Sequence, residues 1–154
     1  MKTRVGCVIA GLVVGVLAVG PWQSYSAAGT GPAAIPINDR ELRVTRVDLG
    51  AKGVSPGDIE VVRSRLLERG TGNVIGRSEL VCSFVDEVRS RVCRGTYILP
   101  KGRIVVGGSL MYRQFYNLAV VGGTGLYDNA RGTMTLTRTG RKPVRDAILF
   151  RLVG

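Results

Sequence analysis

The feature that most constrains the fold is a series of short β-favouring runs with turn signals between them, which fills the chain from Glu41 onwards. This pattern is typical of all-β proteins. The breaks are rich in Gly and Pro, as at Gly50 to Gly57 and at Pro100 to Gly102. The runs predict eight strands, near residues 41–48, 58–68, 73–87, 91–99, 103–111, 116–122, 131–138 and 144–152.

Eight antiparallel strands joined by short turns can close on themselves, which removes the unpaired edges of the sheet. The predicted fold is therefore all-β, an eight-stranded antiparallel closed barrel, and a two-sheet sandwich is the competing architecture. A barrel of this size has an interior just wide enough for packed side chains or one small ligand. Alternation along the third predicted strand places Leu80, Cys82 and Phe84 on one face.

The N-terminal segment has the three-part pattern of a secretory signal peptide. Lys2 and Arg4 form a short positive region, residues 5–19 are an uncharged apolar run, and small residues follow Pro21. The run is shorter than the roughly 20 residues that cross a bilayer, which favours cleavage and secretion over a retained single-span anchor, the alternative. The expected organisation is a signal peptide over 1–26, a flexible lead-in over 27–40 and one barrel domain over 41–154.

The chain is strongly basic, with 22 Lys and Arg against 11 Asp and Glu and a formal net charge of +11. Nucleic-acid binding needs a basic stripe with stacking or reading groups. Here the arginines are scattered through every predicted strand with acids between them, and no Trp follows the signal segment. We therefore expect no nucleic-acid partner. The charge predicts a solvated basic surface, with weak attraction to an anionic cell surface.

Two cysteines, Cys82 and Cys93, remain after the signal segment, which contains Cys7. An even pair in an oxidising compartment is most simply a disulfide, and the two lie on predicted neighbouring strands. Closing a loop of about 12 residues would stabilise the domain by roughly 2–3 kcal/mol in the chain-entropy model.

The chain has no histidine, which excludes a Ser-His-Asp or Cys-His nucleophile and a histidine-bound metal. We expect no metal and no cofactor.

The run Gly122-Gly123-Thr124-Gly125 invites a dinucleotide-binding interpretation. No helical pattern follows it, Asp128 stands where a third glycine would fall, and about 30 residues remain, too few for the rest of a doubly wound sheet. The segment instead predicts a corner between two antiparallel strands. Gly122, Gly123 and Gly125 are expected there as residues that tolerate a positive φ.

The same segment carries a resemblance to a known family. Residues 117–125 (NLAVVGGTG), Tyr127 and residues 130–132 (ARG), followed by a β-run, resemble the closing signature of the allene oxide cyclase and dirigent superfamily. Similar pieces occur in the expected order upstream, so that the resemblance spans roughly residues 41–152. It implies an eight-stranded antiparallel barrel with an apolar lumen, assembled as a homo-oligomer, a trimer or a dimer.

Members of this superfamily steer reactive hydrophobic molecules. Allene oxide cyclases close an epoxide into a ring, dirigent proteins hold radical or quinone-methide intermediates for stereoselective coupling, and related bacterial barrels cyclise polyketides. Confinement in a dry cavity orients the reactant and lowers the barrier. The resemblance thus implies a small hydrophobic partner and either a cofactor-free cyclase or isomerase or a dirigent-like binder.

A non-catalytic carrier of a hydrophobic molecule and a cell-surface structural or interaction protein are the alternatives. The packing of the lumen separates these classes of function. A cavity of roughly 300 Å³ or more favours a ligand-binding protein, whereas a lumen filled by side chains favours a structural one.

Individual family residues match poorly. Where allene oxide cyclases place a glutamate and an asparagine on the first strand, this chain offers Arg46 and Asp48. The family tyrosine falls on Asn117, and Tyr116, one residue away, is expected on the opposite face of the strand. Cys82 matches a lumen cysteine but is expected to be disulfide-bonded. These departures disfavour allene oxide cyclisation itself.

Polar side chains inside the apolar barrel are the expected location of a site. A buried Asp with a raised pKa can act as a base, and a Tyr can donate a hydrogen bond to a developing oxyanion. The candidate catalytic residues are Asp48, Tyr97, Tyr116 and Asn117. The candidate ligand-binding residues are Asp58, Phe84 and Tyr112, and the candidate structural residues are Gly122, Gly123, Gly125, Arg131, Cys82 and Cys93.

Overall fold

A computed structural model describes residues 33–86, 90–111 and 115–153. The predicted signal peptide, the first part of the predicted lead-in and Tyr112 lie outside the described residues. The described part of the chain contains no apolar helix long enough to span a membrane. It contains eight strands: β1 Ala33–Val47, β2 Ile59–Glu68, β3 Val74–Phe84, β4 Arg91–Leu99, β5 Gly102–Leu110, β6 Phe115–Gly125, β7 Arg131–Arg141 and β8 Val144–Val153.

The strands form a closed antiparallel barrel in which each strand pairs with its neighbours in the chain. The barrel closes where β1 pairs with β8, in a register that runs from Ala33 opposite Leu152 to Arg40 opposite Arg145. This confirms the predicted barrel over the sandwich, and it confirms all eight predicted strands.

The largest difference from the prediction concerns β1, which begins at Ala33 and not near residue 41. The prediction of a flexible lead-in is wrong for residues 33–40. Their Ala and Pro content suggested a linker, but their backbone pairs with β8, and β2 joins on the other side from Ile37 onwards. Ile37 and Asp39 point into the barrel and are buried. Pairing on two sides and burial therefore outweigh the weak β-propensity of this segment.

The inward-facing side chains divide the lumen into two halves. The packed half, at the end where β1 begins and β8 ends, is filled by apolar side chains: Ile37, Leu66, Leu99, Ile104, Leu118, Val120, Met134, Phe150 and Leu152. The polar half, at the opposite end, buries six polar or charged side chains: Asp39, Glu60, Ser64, Ser78, Arg91 and Asp146. The expectation of a wholly apolar lumen is therefore wrong for one half of the barrel.

The predicted glycine corner lies at the end of β6 and in the turn after it. Gly125 has a φ of 65°, in the left-handed region that favours glycine. Gly122 and Gly123 are extended residues of β6 without positive φ, which corrects the prediction for these two. A side chain at Gly123 would collide with the backbone of Arg103 and Tyr127, so this position needs glycine for close approach.

The other predicted structural residues are Cys82, Cys93 and Arg131. Cys82 and Cys93 lie directly opposite each other on β3 and β4 and form a disulfide, as predicted. The guanidinium of Arg131 donates from Nη1 to the carbonyl of Ala130 at 2.9 Å, next to the turn between β6 and β7. The disulfide joins two wall strands of the polar half, where Cys82 lines the lumen.

Candidate functional site

The polar half of the lumen contains a partly open cavity of about 40 Å³. Its wall includes four carboxylates and two guanidinium groups, from Asp39, Glu41, Glu60, Asp146, Arg91 and Arg138. Apolar side chains complete the wall, among them Leu80, Leu110 and Leu136. This volume holds about three water molecules and is well below the roughly 300 Å³ of a typical ligand pocket.

Asp39 and Asp146 are direct cross-strand partners where β1 meets β8. Both side chains point inward and are buried, with 5% and 6% of their surface exposed. Burial, and then the negative charge of Asp146, raise the pKa of Asp39 from 3.8 to about 7, against smaller opposing effects of hydrogen bonds from Ser64 and Ser78. Two carboxyl groups on directly opposite positions repel each other when both are ionised, which raises the free energy of the doubly charged state.

The two carboxylates differ in their partners. Arg138 donates from Nε to Oδ1 of Asp146 at 3.0 Å and from Nη2 to Oδ2 at 3.4 Å. Among the described residues, by contrast, Oδ1 of Asp39 has no hydrogen-bond partner. The carboxyl without an ion-pair partner in the described part of the chain, that of Asp39, is the one whose pKa is raised. Near neutral pH, Asp39 can therefore both accept and donate a proton.

Two tyrosines lie beside this carboxylate pair. Tyr97 is fully buried and contacts Phe150 edge to face, with ring centroids 5.1 Å apart. Burial raises the pKa of Tyr97 well above its usual range, and burial also raises the pKa of Tyr116. Both phenols are therefore neutral hydrogen-bond donors at physiological pH. The predicted placement of these two residues at the lumen is what the structure shows.

A second charged cluster lies nearer the barrel mouth. Glu60, with 1% of its side chain exposed, accepts hydrogen bonds from Nη1 of Arg91 and Nε of Arg46, both at 2.9 Å. The Arg91 guanidinium stacks on the ring of Phe84 at 5.3 Å from its centroid. Phe84, predicted to contact a ligand in the lumen, therefore packs against Arg91 and does not line the lumen cavity.

Two predicted catalytic residues, Asp48 and Asn117, lie outside the lumen. Asp48 is exposed in the connection between β1 and β2 and accepts a hydrogen bond from the Gly53 N–H at 3.3 Å. Asn117 is exposed because it has the outward phase of β6, one residue from the lumen-lining Tyr116. The expectation that these two side chains act inside the barrel is not met.

Asp58 organises the same connection. Its carboxylate accepts hydrogen bonds from the Leu49 and Ser55 N–H groups, each at 2.9 Å, and these backbone donors lower its pKa. Asp48, Asp58 and Phe84 line a separate surface cleft of about 220 Å³ beside this loop. The hydrogen bonds give Asp58 a structural role, with its oxygens directed at the loop.

Sequence reasoning missed Asp39, Asp146 and Arg138. Asp39 was assigned to the lead-in, although it shares the two-residue phase of Ile35 and Ile37. Asp146 has the same phase as the core residues Ile148 and Phe150, so alternation alone could have placed it inside. Within the described ranges, no three His, Cys, Asp or Glu side chains are grouped so that they could hold a metal ion.

Solved structures share this barrel. A pyocyanin demethylase has 21% identity and a TM-score of 0.66, over 75% of this chain and 98% of that one. A pterocarpan synthase dirigent protein has 12% identity and a TM-score of 0.63, over 82% and 98%. The Diels–Alderase AbmU from Streptomyces koyangensis has 16% identity and a TM-score of 0.63, over 78% and 64%.

No protein-family model matches the chain. No curated protein matches it. At these identities the solved structures define the fold and not the activity. The protein therefore has the fold of the dirigent-like and cyclase barrels, which confirms the resemblance seen in the sequence at the level of fold.

Proposed function

We propose that this protein is an exported barrel that binds a small organic molecule in the polar half of its lumen and guides its cyclisation or coupling by proton transfer at Asp39. The observation that carries the proposal is the buried Asp39 carboxyl, which faces Asp146 and has an oxygen without a partner among the described residues. The shared fold with dirigent and Diels–Alderase barrels supports it.

The chemistry assigned to this site is general acid–base catalysis. An acid whose pKa lies near the working pH is best placed to take a proton and return it. Asp39, with a pKa of about 7, would remove a proton from the bound molecule in its ionised form and return it at another atom. The neutral phenols of Tyr97 and Tyr116 would donate hydrogen bonds to negative charge that develops on a substrate oxygen.

The lining defines the class of ligand. Leu80, Leu110 and Leu136 offer an apolar wall, and the carboxylates opposite favour a group that donates a proton or carries positive charge. We therefore propose a mainly hydrophobic molecule with one such polar group. A molecule larger than the cavity would have to displace side chains at the mouth, where Arg138, with 21% of its side chain exposed, is the most accessible member of the ion pair.

The small cavity favours a second candidate function. Apart from a volume of about 40 Å³, the lumen is filled by side chains, as expected for a non-catalytic structural or interaction protein at the cell surface. Export is supported by the disulfide, which is compatible with an oxidising compartment. Assembly as a homo-oligomer stays a prediction.

Mass spectrometry of the organic extract of the purified protein tests both functions. Asp39→Asn keeps the side-chain shape and removes the carboxylate, and Glu79→Gln makes the same charge change on the outer face. We expect wild type and Glu79→Gln to release the same small molecule, and Asp39→Asn to release less than a tenth as much. If none of the three releases a compound absent from an unrelated exported protein, the lumen-binding proposal is wrong and the structural function is favoured.

A further inference from the structure

Four arginines lie in one register row across the outside of the barrel wall. Arg40 on β1 lies opposite Arg145 on β8 and opposite Arg65 on β2. Arg65 in turn lies opposite Arg77 on β3. All four side chains are exposed. Neighbouring strands are about 4.8 Å apart, so the backbone positions of this arginine row span roughly 14 Å of the curved barrel wall, and the four side chains point outward from it.

Among the described residues, no ion pair neutralises the row. Ion pairs between described side chains involve Arg46, Arg63, Arg91 and Arg138, and none includes a member of the arginine row. In the adjacent register row, Arg43 and Arg63 add positive charge, and Glu79 supplies one carboxylate that pairs with Arg63 at 3.2 Å. Like charges directly opposite each other destabilise a sheet. An anion bound along the row would remove that repulsion.

The geometry of the row indicates the shape of that anion. Arginine forks bind carboxylate, sulfate and phosphate oxygens in pairs. Because the row runs across the strands with one guanidinium per strand, it suits a polymer that follows the barrel wall and carries a series of negative groups. Compact anions would contact one or two members of the row only.

The chemistry of the surrounding face distinguishes between polymers. β1 and β2 contain no aromatic residue, and the single aromatic residues of β3 and β8, Phe84 and Phe150, point inward and are buried. Single-stranded nucleic acid is bound by stacking its bases on aromatic side chains, and this face offers none. We propose that the arginine row is a binding site for an extended acidic polysaccharide.

This site is independent of the lumen. Arg40 follows Asp39 directly in β1, so its side chain has the outward phase while that of Asp39 has the inward one. Four of the arginines that are scattered in the sequence thus lie in one defined row. Cross-strand register brings them together although they are far apart in the chain.

Binding to polygalacturonate, measured by isothermal titration calorimetry on the full-length protein, tests the site. The double variant Arg40→Gln/Arg65→Gln removes the centre of the row. The control Arg94→Gln/Arg151→Gln makes the same change in net charge at exposed positions of β4 and β8, outside the row. We expect at least tenfold weaker binding for the row variant, with a smaller slope of affinity against salt, and less than a twofold change for the control.

Three outcomes would overturn the proposal. If the two double variants weaken the binding of polygalacturonate equally, the polymer is attracted by the net charge of the protein and not by the row. No detectable binding of polygalacturonate by the wild type would remove the site altogether. Binding of a single-stranded oligothymidylate as tight as that of polygalacturonate would contradict the assignment to a polysaccharide. If Arg40→Gln/Arg65→Gln does not fold, Arg77→Gln/Arg145→Gln removes the two ends of the same row and is judged by the same criteria.

Discussion

Asp39 and Asp146 face each other in register at the seam where the first and last strands close the barrel. One carboxylate is paired with Arg138, and the other has an oxygen without a partner among the described residues. A site built across this seam exists only in the closed barrel, because its two acids are more than a hundred residues apart in the chain. Folding and the raised pKa of Asp39 are therefore coupled.

The first prediction concerns the dependence of stability on pH. The pKa of Asp39 is about 7 in the folded protein against an ordinary 3.8, so ionising it is harder in the folded state. The contribution of Asp39 to the free energy of unfolding is therefore most favourable below pH 4. It declines as the pH rises to 7 and is constant above pH 7. Asp39→Asn removes this penalty, which is up to about 4 kcal/mol.

Urea unfolding of wild type and Asp39→Asn at pH 4 and pH 8 measures this effect. We expect the variant to gain stability relative to wild type at pH 8 and not at pH 4. An equal difference at the two pH values would show that Asp39 titrates in its ordinary range.

The second prediction concerns Glu60, which lies between Arg46 and the buried Arg91. Glu60→Gln removes the negative charge that both guanidinium groups face. Breaking a buried ion pair costs about 3–5 kcal/mol, and we expect a loss of unfolding free energy near the lower value because Arg46 is 54% exposed. Chemical denaturation measures the loss.

Glu79→Gln is the matched control for Glu60→Gln. It breaks the pair with Arg63 in which both side chains are more than half exposed, and such pairs contribute less than about 1 kcal/mol. Similar losses in the two variants would contradict the burial of the Glu60 cluster.

The third prediction concerns the disulfide in the lumen wall. Replacing Cys82 and Cys93 by Ser should lower the free energy of unfolding by roughly 2–3 kcal/mol, because the unfolded chain loses the constraint on an internal loop. Denaturation of the oxidised wild type, the reduced wild type and the double variant gives the comparison. Alkylation of both cysteines in the unreduced purified protein would contradict the disulfide.

The fourth prediction concerns the glycine corner. Gly123→Ala places a methyl group against the carbonyls of Arg103 and Tyr127, which belong to the backbone and cannot rotate away. We expect a loss of about 1–3 kcal/mol, as for other overpacking substitutions. Gly107→Ala is the control, since the nearest atom to its methyl group lies 3.7 Å away. Thermal unfolding of both variants should separate them, and equal melting temperatures would be inconsistent with this packing.

The strand count and the closed barrel follow from the alternation of residues and from the turn signals. The inward phase of Tyr97 could be read along a single strand, whereas on β6 both Tyr116 and its neighbour Asn117 were candidates, although adjacent residues point to opposite faces. The start of β1 was missed because Ala33 to Pro36 have the composition of a linker, and only pairing with β8 orders them. The phase of Asn117 was misjudged, since a resemblance to a family motif does not fix which neighbour points inward.

Cross-strand register is the information that reading each strand separately does not give. The pairing of Asp39 with Asp146, and that of Arg40 with Arg65 and Arg145, depend on how eight strands are offset from one another. Bulges shift that offset locally, as between Glu41 and Arg43, and their positions are not evident from composition. The Cys82–Cys93 pair could be predicted because a short turn joins its two strands, whereas the pairs of Asp39 and Arg40 join strands that are distant in the chain.

The most direct test of the lumen site is the titration of the Asp39 carboxyl carbon, followed by NMR in ¹³C-labelled protein and assigned with Asp39→Asn. The account predicts a midpoint near pH 7, and a lower midpoint in Asp146→Asn, where the neighbouring negative charge is gone. A midpoint near pH 4 in the wild type would contradict the buried proton-transfer site on which the proposed function depends.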